Sequence, residues 1–172
     1  MSISKHIETT ADIATLAAAV LLTAVLVKGY FLPSAPPSVP LSSTSVTTGV
    51  SLQSRLPGVD FRKNGRTLLL AISTTCHFCM ESEPFYRKLR DEAGKGLKTV
   101  AVLPQPTTES EQYLNGEGVH VDQVRQAELS SLGVQGTPTL LLVDGAGVVT
   151  KVWVGKLKPE QEQEVIATLK RG

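Results

Sequence analysis

At 172 residues, with a formal net charge of +1 and 19% charged residues, the chain has the size of one ordinary domain with appendages. No charge excess points to nucleic acid, and no run of one sign marks an acidic or basic partner. Its only two cysteines, Cys76 and Cys79, form one local pair, which excludes a disulfide-stapled scaffold.

Residues 1–12 read as a short N-terminal tail. Residues 13–32 begin with an unbroken apolar or small-residue run, Ile13 to Val27, and close on Lys28, Gly29, Tyr30, Phe31 and Leu32. That length matches the roughly 20 residues needed to cross a bilayer core. Lys28 suits snorkelling, and Tyr30 and Phe31 suit the interface. A transmembrane signal-anchor is favoured over a cleaved signal, because Ala35 sits between Pro33 and Pro36 and makes a poor cleavage site. Lys5 and Lys28 nearly balance across the span. A short tail commonly stays cytoplasmic, which directs the rest of the chain to the periplasmic or extracytoplasmic side. Residues 33–54 hold four prolines, many Ser and Thr, and no charge, as in an extended linker. Val50 to Leu52 could form a first short strand.

The folded domain is expected over residues 55–172. Asn64-Gly65 predicts a hairpin between Val59–Arg62 and Arg66–Ser73. Thr67 to Ile72 is continuously apolar after its first residue, as in a central strand covered on both faces. Cys79 to Glu92 reads as helix, with Phe85 and Leu89 inward and Glu81 and Glu83 on a solvated face. Leu97 to Leu103 is a second strand, completing a βαβ unit. Thr107 to Leu114 predicts a short helix capped by Thr107 or Thr108, and Val121 to Leu132 predicts another helix. Thr139–Val143 and Val148–Val154 flank the turn Asp144-Gly145-Ala146-Gly147. Pro159 opens a last helix, with Val165, Ile166 and Leu169 on its apolar face. The sum is an α/β domain: a mixed central sheet with helices on both faces.

The pair Cys76-His77-Phe78-Cys79 follows the first apolar strand and opens a helix. A bridge across so short a loop constrains little chain, so chemistry explains it better than stability. A thiol attacks a disulfide only as thiolate. A helix N-terminus offers unpaired N–H groups and a favourable dipole, and a protonated His77 adds positive charge. Cys79 lies on the same side of the first turn, placed to resolve a mixed disulfide on Cys76. A zinc site needs four ligands, and the other histidines, His6 and His120, stand apart. An inert buried pair is the remaining structural alternative. Neither a metal nor a cofactor is expected.

These residues resemble the thioredoxin-like superfamily, and more closely the membrane-anchored bacterial thiol–disulfide oxidoreductases of the TlpA type. The resemblance rests on Cys76-x-x-Cys79 after a strand, on Pro84 eight residues beyond Cys76, on Gly133-Val134-Gln135-Gly136-Thr137-Pro138-Thr139-Leu140, and on Gly155 before the last helix. It covers about Val59 to Leu169 and implies a thioredoxin-like fold behind one transmembrane helix. It also implies a cis-proline at Pro138 and substrate binding by Thr137 and Pro138, the Thr137 backbone pairing with client chain. The sequence departs from the family where Thr75 replaces the usual Trp and where Leu70 replaces the buried acid of thioredoxins.

The leading expectation is a thiol–disulfide oxidoreductase with catalytic Cys76 and Cys79, His77 tuning the thiol pKa, and disulfide-bearing protein clients. Cytochrome c maturation or related redox homeostasis is the expected setting. A membrane redox partner would supply or accept electrons. The alternatives are a peroxiredoxin-like peroxidase and a non-catalytic membrane-tethered adaptor.

Overall fold

In the computed structural model, residues 45–92 and 96–171 are described. The tail, the anchor expected over residues 13–32 and most of the linker lie outside them. Among the described residues, no helix is long and apolar enough to cross a membrane.

The strands are β1 (Thr67–Ala71), β2 (Lys98–Leu103), β3 (Gln123–Gln126), β4 (Thr139–Val143) and β5 (Val149–Val154). They form one sheet in the order β3-β2-β1-β4-β5. β1 pairs in parallel with β2, and β2 with β3; β4 runs antiparallel to both β1 and β5. The helices are α1 (Phe61–Asn64), α2 (His77–Glu81), α3 (Glu83–Glu92), α4 (Thr107–Gly116) and α5 (Pro159–Lys170), with a 3-10 turn at Leu129–Leu132. This is the mixed sheet expected from the sequence.

Strand side chains alternate between faces, and β1 feeds two cores. Leu68 and Leu70 enter one core with Phe85, Tyr86 and Leu89 of α3, Leu114 of α4 and Val165 and Leu169 of α5. Leu69 and Ala71 enter the other with Leu52, Leu56, Val59, Phe61 and Leu132. All five residues of β1 are buried, which is why the strand is apolar without a break after Thr67.

Several expectations are corrected. The hairpin at Asn64-Gly65 is instead the end of α1. The Asp60 side chain accepts from the Lys63 N–H at 3.0 Å and caps that turn, while Phe61 is fully buried. Residues 46–49, read as linker, and Val50–Leu52, read as a candidate first strand within it, pack on the domain: Val46 and Leu52 are buried, Ser51 forms an antiparallel bridge with Val148, and Leu52 N donates to Gly147 O at 2.7 Å. The helix expected over Val121–Leu132 is strand β3 followed by the 3-10 turn. Asp122 explains this: its carboxylate accepts from Thr99 N at 2.8 Å and Thr99 Oγ1 at 2.9 Å, so the segment joins the edge of β2. The N-cap of α4 is Pro106, without a side-chain cap, in place of Thr107 or Thr108.

Phe61→Ala should remove about 3–5 kcal/mol of stability, the usual cost of emptying a buried aromatic site. Urea denaturation measures it, and a loss below about 1 kcal/mol would contradict the packing of α1.

Candidate active site

The site begins where β1 ends. Ile72 N still donates to Val102 O at 3.1 Å, and then Ser73, Thr74 and Thr75 turn the chain. Cys76 N donates to Ser73 O at 3.2 Å, closing the turn on the first cysteine. Cys76 is the N-cap of α2, with extended backbone, and its Sγ lies 3.1 Å from Cys79 N. The helix thus starts one residue after Cys76, not at Cys79. Sulfur takes the place of the oxygen that usually accepts from the first turn.

α2 is short. Ser82 interrupts it by donating its N–H to Cys79 O at 3.1 Å and its hydroxyl to Phe78 O at 2.7 Å. Pro84 follows, and its ring nitrogen has no proton for the next rung. One helix was expected over Cys79–Glu92; the break gives α2 and α3.

Cys76 and Cys79 are joined as a disulfide, with Cα atoms 5.2 Å apart. The two sulfurs are unequal: Cys79 is fully buried, whereas Cys76 is only partly so. Opposite them, the Thr137–Pro138 bond is cis, and Thr137 O lies 3.4 Å from Cys76 Sγ. The sheet register explains the approach. Ala71 pairs with Thr139, so the residues just before β4 lie beside the loop just after β1. Gly155 N donates to Pro138 O at 2.7 Å and ties this loop to the end of β5.

His77 is largely solvent-exposed, with Nε2 at 3.5 Å from Glu81 Oε1. The other oxygen of Glu81 pairs with Lys156 Nζ at 3.1 Å. Glu81 therefore bridges α2 to the loop after β5, and any positive charge on His77 faces a carboxylate. Leu70 is buried in the apolar core, so no acid occupies that position beneath the dithiol.

Glu83 corrects a further expectation. It is buried, not solvated, and accepts from the Tyr113 hydroxyl at 2.7 Å. Desolvation raises its pKa above the ordinary carboxylate value, and Glu117 adds to the rise. Burial and the neighbouring Glu83 push the Tyr113 phenol up as well. Sequence reading also missed Gln105, whose side chain reaches the turn before Cys76. Both contacts join residues about 30 positions apart, beyond any local pattern. Among the described residues, no cluster of His, Cys, Asp or Glu is arranged to hold a metal.

A strand delivering a dithiol to a helix N-terminus, facing a cis-proline loop, defines a thioredoxin-type site. The chain belongs to the thioredoxin-like domain family, whose match runs over residues 59–170. With a CxxC pair in that fold, its class is that of a thiol–disulfide oxidoreductase. Solved structures share the fold. A protein assigned as thiol:disulfide interchange protein DsbE from Chlorobium tepidum is 23% identical, covers 73% of this chain and 99% of its own, and superposes with a TM-score of 0.56. A thiol-disulfide isomerase from Corynebacterium glutamicum is 11% identical, with 74% and 95% covered and a TM-score of 0.54. A thioredoxin-family thiol:disulfide interchange protein, also from Chlorobium tepidum, is 18% identical, with 75% and 97% covered and a TM-score of 0.51. No curated protein matches the sequence significantly.

Glu83 makes a pH prediction. Its folded pKa is raised, so the native state holds the proton more tightly than the unfolded chain. Stability should then fall as pH rises from the unfolded value of 4.5 through the higher folded value. Denaturation midpoints across this window should show that decline in the wild type and a flatter profile in Glu83→Gln. Parallel profiles would contradict the assignment.

Proposed function

We propose that this chain exchanges disulfides with extracytoplasmic protein clients through Cys76 and Cys79, tethered to a membrane by residues 13–32. The observation that carries the chemistry is the inequality of the two sulfurs. Cys76 is reachable and capped by a helix N-terminus; Cys79 is buried one turn behind it. As a reductant, the Cys76 thiolate attacks a client disulfide, forms a mixed disulfide and releases one client thiolate. Cys79 loses its proton and attacks Cys76 Sγ, releasing the second client thiolate and closing the Cys76–Cys79 bond. Two electrons pass to the client. The reverse sequence oxidises a client dithiol. Either direction needs a second dithiol or disulfide partner to reset the pair, and a membrane redox protein suits a tethered domain. Cytochrome c maturation is one setting with such clients.

Thr137 and Pro138 are assigned to client binding. The Thr137 carbonyl, 3.4 Å from Cys76 Sγ, supports this reading, in which the backbone there pairs with an extended client strand. The exposed large apolar side chains among the described residues are Phe78, Met80 and Val154. Two lie on α2, and Val154 pairs with Thr139 next to Pro138. Exposed apolar side chains on the dithiol's helix and near Pro138 support a polypeptide client over a small peroxide.

Cys79→Ser should accumulate a mixed disulfide between Cys76 and a client, visible on a non-reducing gel and lost with Cys76→Ser. Absence of any trapped species, together with no reduction of insulin disulfides by the wild type, would contradict the proposal. His77 should make the couple more oxidising than thioredoxin, which stands at about −270 mV, by stabilising the thiolate form. A glutathione titration giving a value at or below thioredoxin's would contradict this role. His77→Ala should lower the potential.

A further inference from the structure

The segment between β2 and β3 makes a set of contacts that the proposed exchange chemistry does not use. Gln105 lies two residues beyond β2 and spends both ends of its amide on the turn before the dithiol. Its Nε2 donates to Ser73 Oγ at 2.9 Å, and its Oε1 accepts from Thr74 N at 3.4 Å. Ser73 Oγ in turn lies 3.1 Å from Thr75 Oγ1 and accepts from Thr75 N at 3.4 Å. Glu109, in the first turn of α4, accepts from Thr74 Oγ1 at 3.3 Å. Every residue of the turn Ser73–Thr75 is thereby tied, directly or through Ser73, to Gln105.

This turn decides how Cys76 meets its helix. Ser73 O receives the Cys76 N–H, and Cys76 must then keep an extended backbone for its sulfur to reach Cys79 N. A turn free to rotate would swing Sγ away from the helix N–H groups, which are the groups that favour a thiolate there. The side chains of the turn itself are polar and not fully buried: Thr75 is exposed, and Ser73 and Thr74 are partly so. The hydrogen bonds from Gln105 and Glu109 cross from one βα connection to the next, so the geometry of Cys76 depends on a residue 29 positions away.

We propose that Gln105 is a positioning residue for Cys76: through Ser73 it holds the turn that aims the first sulfur at the N-terminus of α2. The inference rests on Cys76 acting as the attacking thiol. Gln105 does not touch substrate. It acts on the readiness of Cys76 to ionise, and it links the segment of residues 105–119 to the redox properties of the dithiol.

The test uses the reduced protein and follows iodoacetamide modification of Cys76 against pH, with Tm recorded for each variant. Gln105→Leu keeps the bulk of the side chain and removes both hydrogen bonds. Ser73→Ala removes the relay. Each should raise the pH midpoint of Cys76 modification by about half a unit to one unit, which lowers the rate about three- to tenfold at pH values well below the midpoint. The double variant should shift no further than the larger single variant, because both act through one contact. Midpoints equal to wild type with only Tm lowered would overturn the proposal, as would fully additive shifts. If Gln105→Leu fails to fold, Ser73→Ala alone decides between a shifted and an unshifted midpoint. Reduction of insulin disulfides by the wild type, run alongside, reports separately on the dithiol reading.

Discussion

Everything at this site depends on where Cys76 falls between a strand and a helix. The buried strand β1 ends one turn before it, and α2 begins one residue after it. A residue at that junction can offer its side chain to the helix N–H groups, and here the group offered is sulfur, 3.1 Å from Cys79 N. The hydrogen-bonding deficit is the one that makes Ser, Thr, Asp and Asn good helix caps, and on the proposed reading it would favour a thiolate once the pair is reduced.

The rest of the fold serves that junction. Five consecutive buried residues in β1 fix the end of the strand, because neither face can rotate toward water without exposing a core. The antiparallel register with β4 brings Thr137 and Pro138 alongside, and the bond from Gly155 to Pro138 keeps them there. Glu81 ties the exposed face of α2 to Lys156, and Gln105 ties the turn before Cys76 to the segment after β2. An exposed ion pair of this kind contributes little stability, commonly below about 1 kcal/mol. Its effect here is on the local field, since it sets a carboxylate against His77. The dithiol is thus held from three sides by elements far apart in the chain.

Much of this was legible in the sequence, for reasons that differ by residue. β1, the Asp144–Gly147 turn and the Pro159 helix start carry local signals that nothing distant opposes. The CxxC pair and the Thr137-Pro138 stretch were legible as a combination, each giving the other meaning. Gln123 to Gln126 was not, because its spacing of Val121, Val124 and Leu129 also suits a helix. Only pairing with β2, led by Asp122 on Thr99, makes it a strand. Asn64-Gly65 looked like a hairpin turn because the cap formed by Asp60 and the burial of Phe61 compete with it and win. Glu83 looked solvated because the phenol that satisfies it comes from Tyr113, on another helix. Gln105 carried no local pattern at all. The redox motif is therefore written locally, while the environment that tunes it is assembled by the fold.

The most direct test is to alkylate the fully reduced protein under limiting reagent and map the modified cysteine by mass spectrometry across pH. The account predicts modification of Cys76 first, with a midpoint below the ordinary thiol value of about 8.5, and protection of Cys79. Equal labelling of the two cysteines, or a Cys76 midpoint at or above that value, would contradict it.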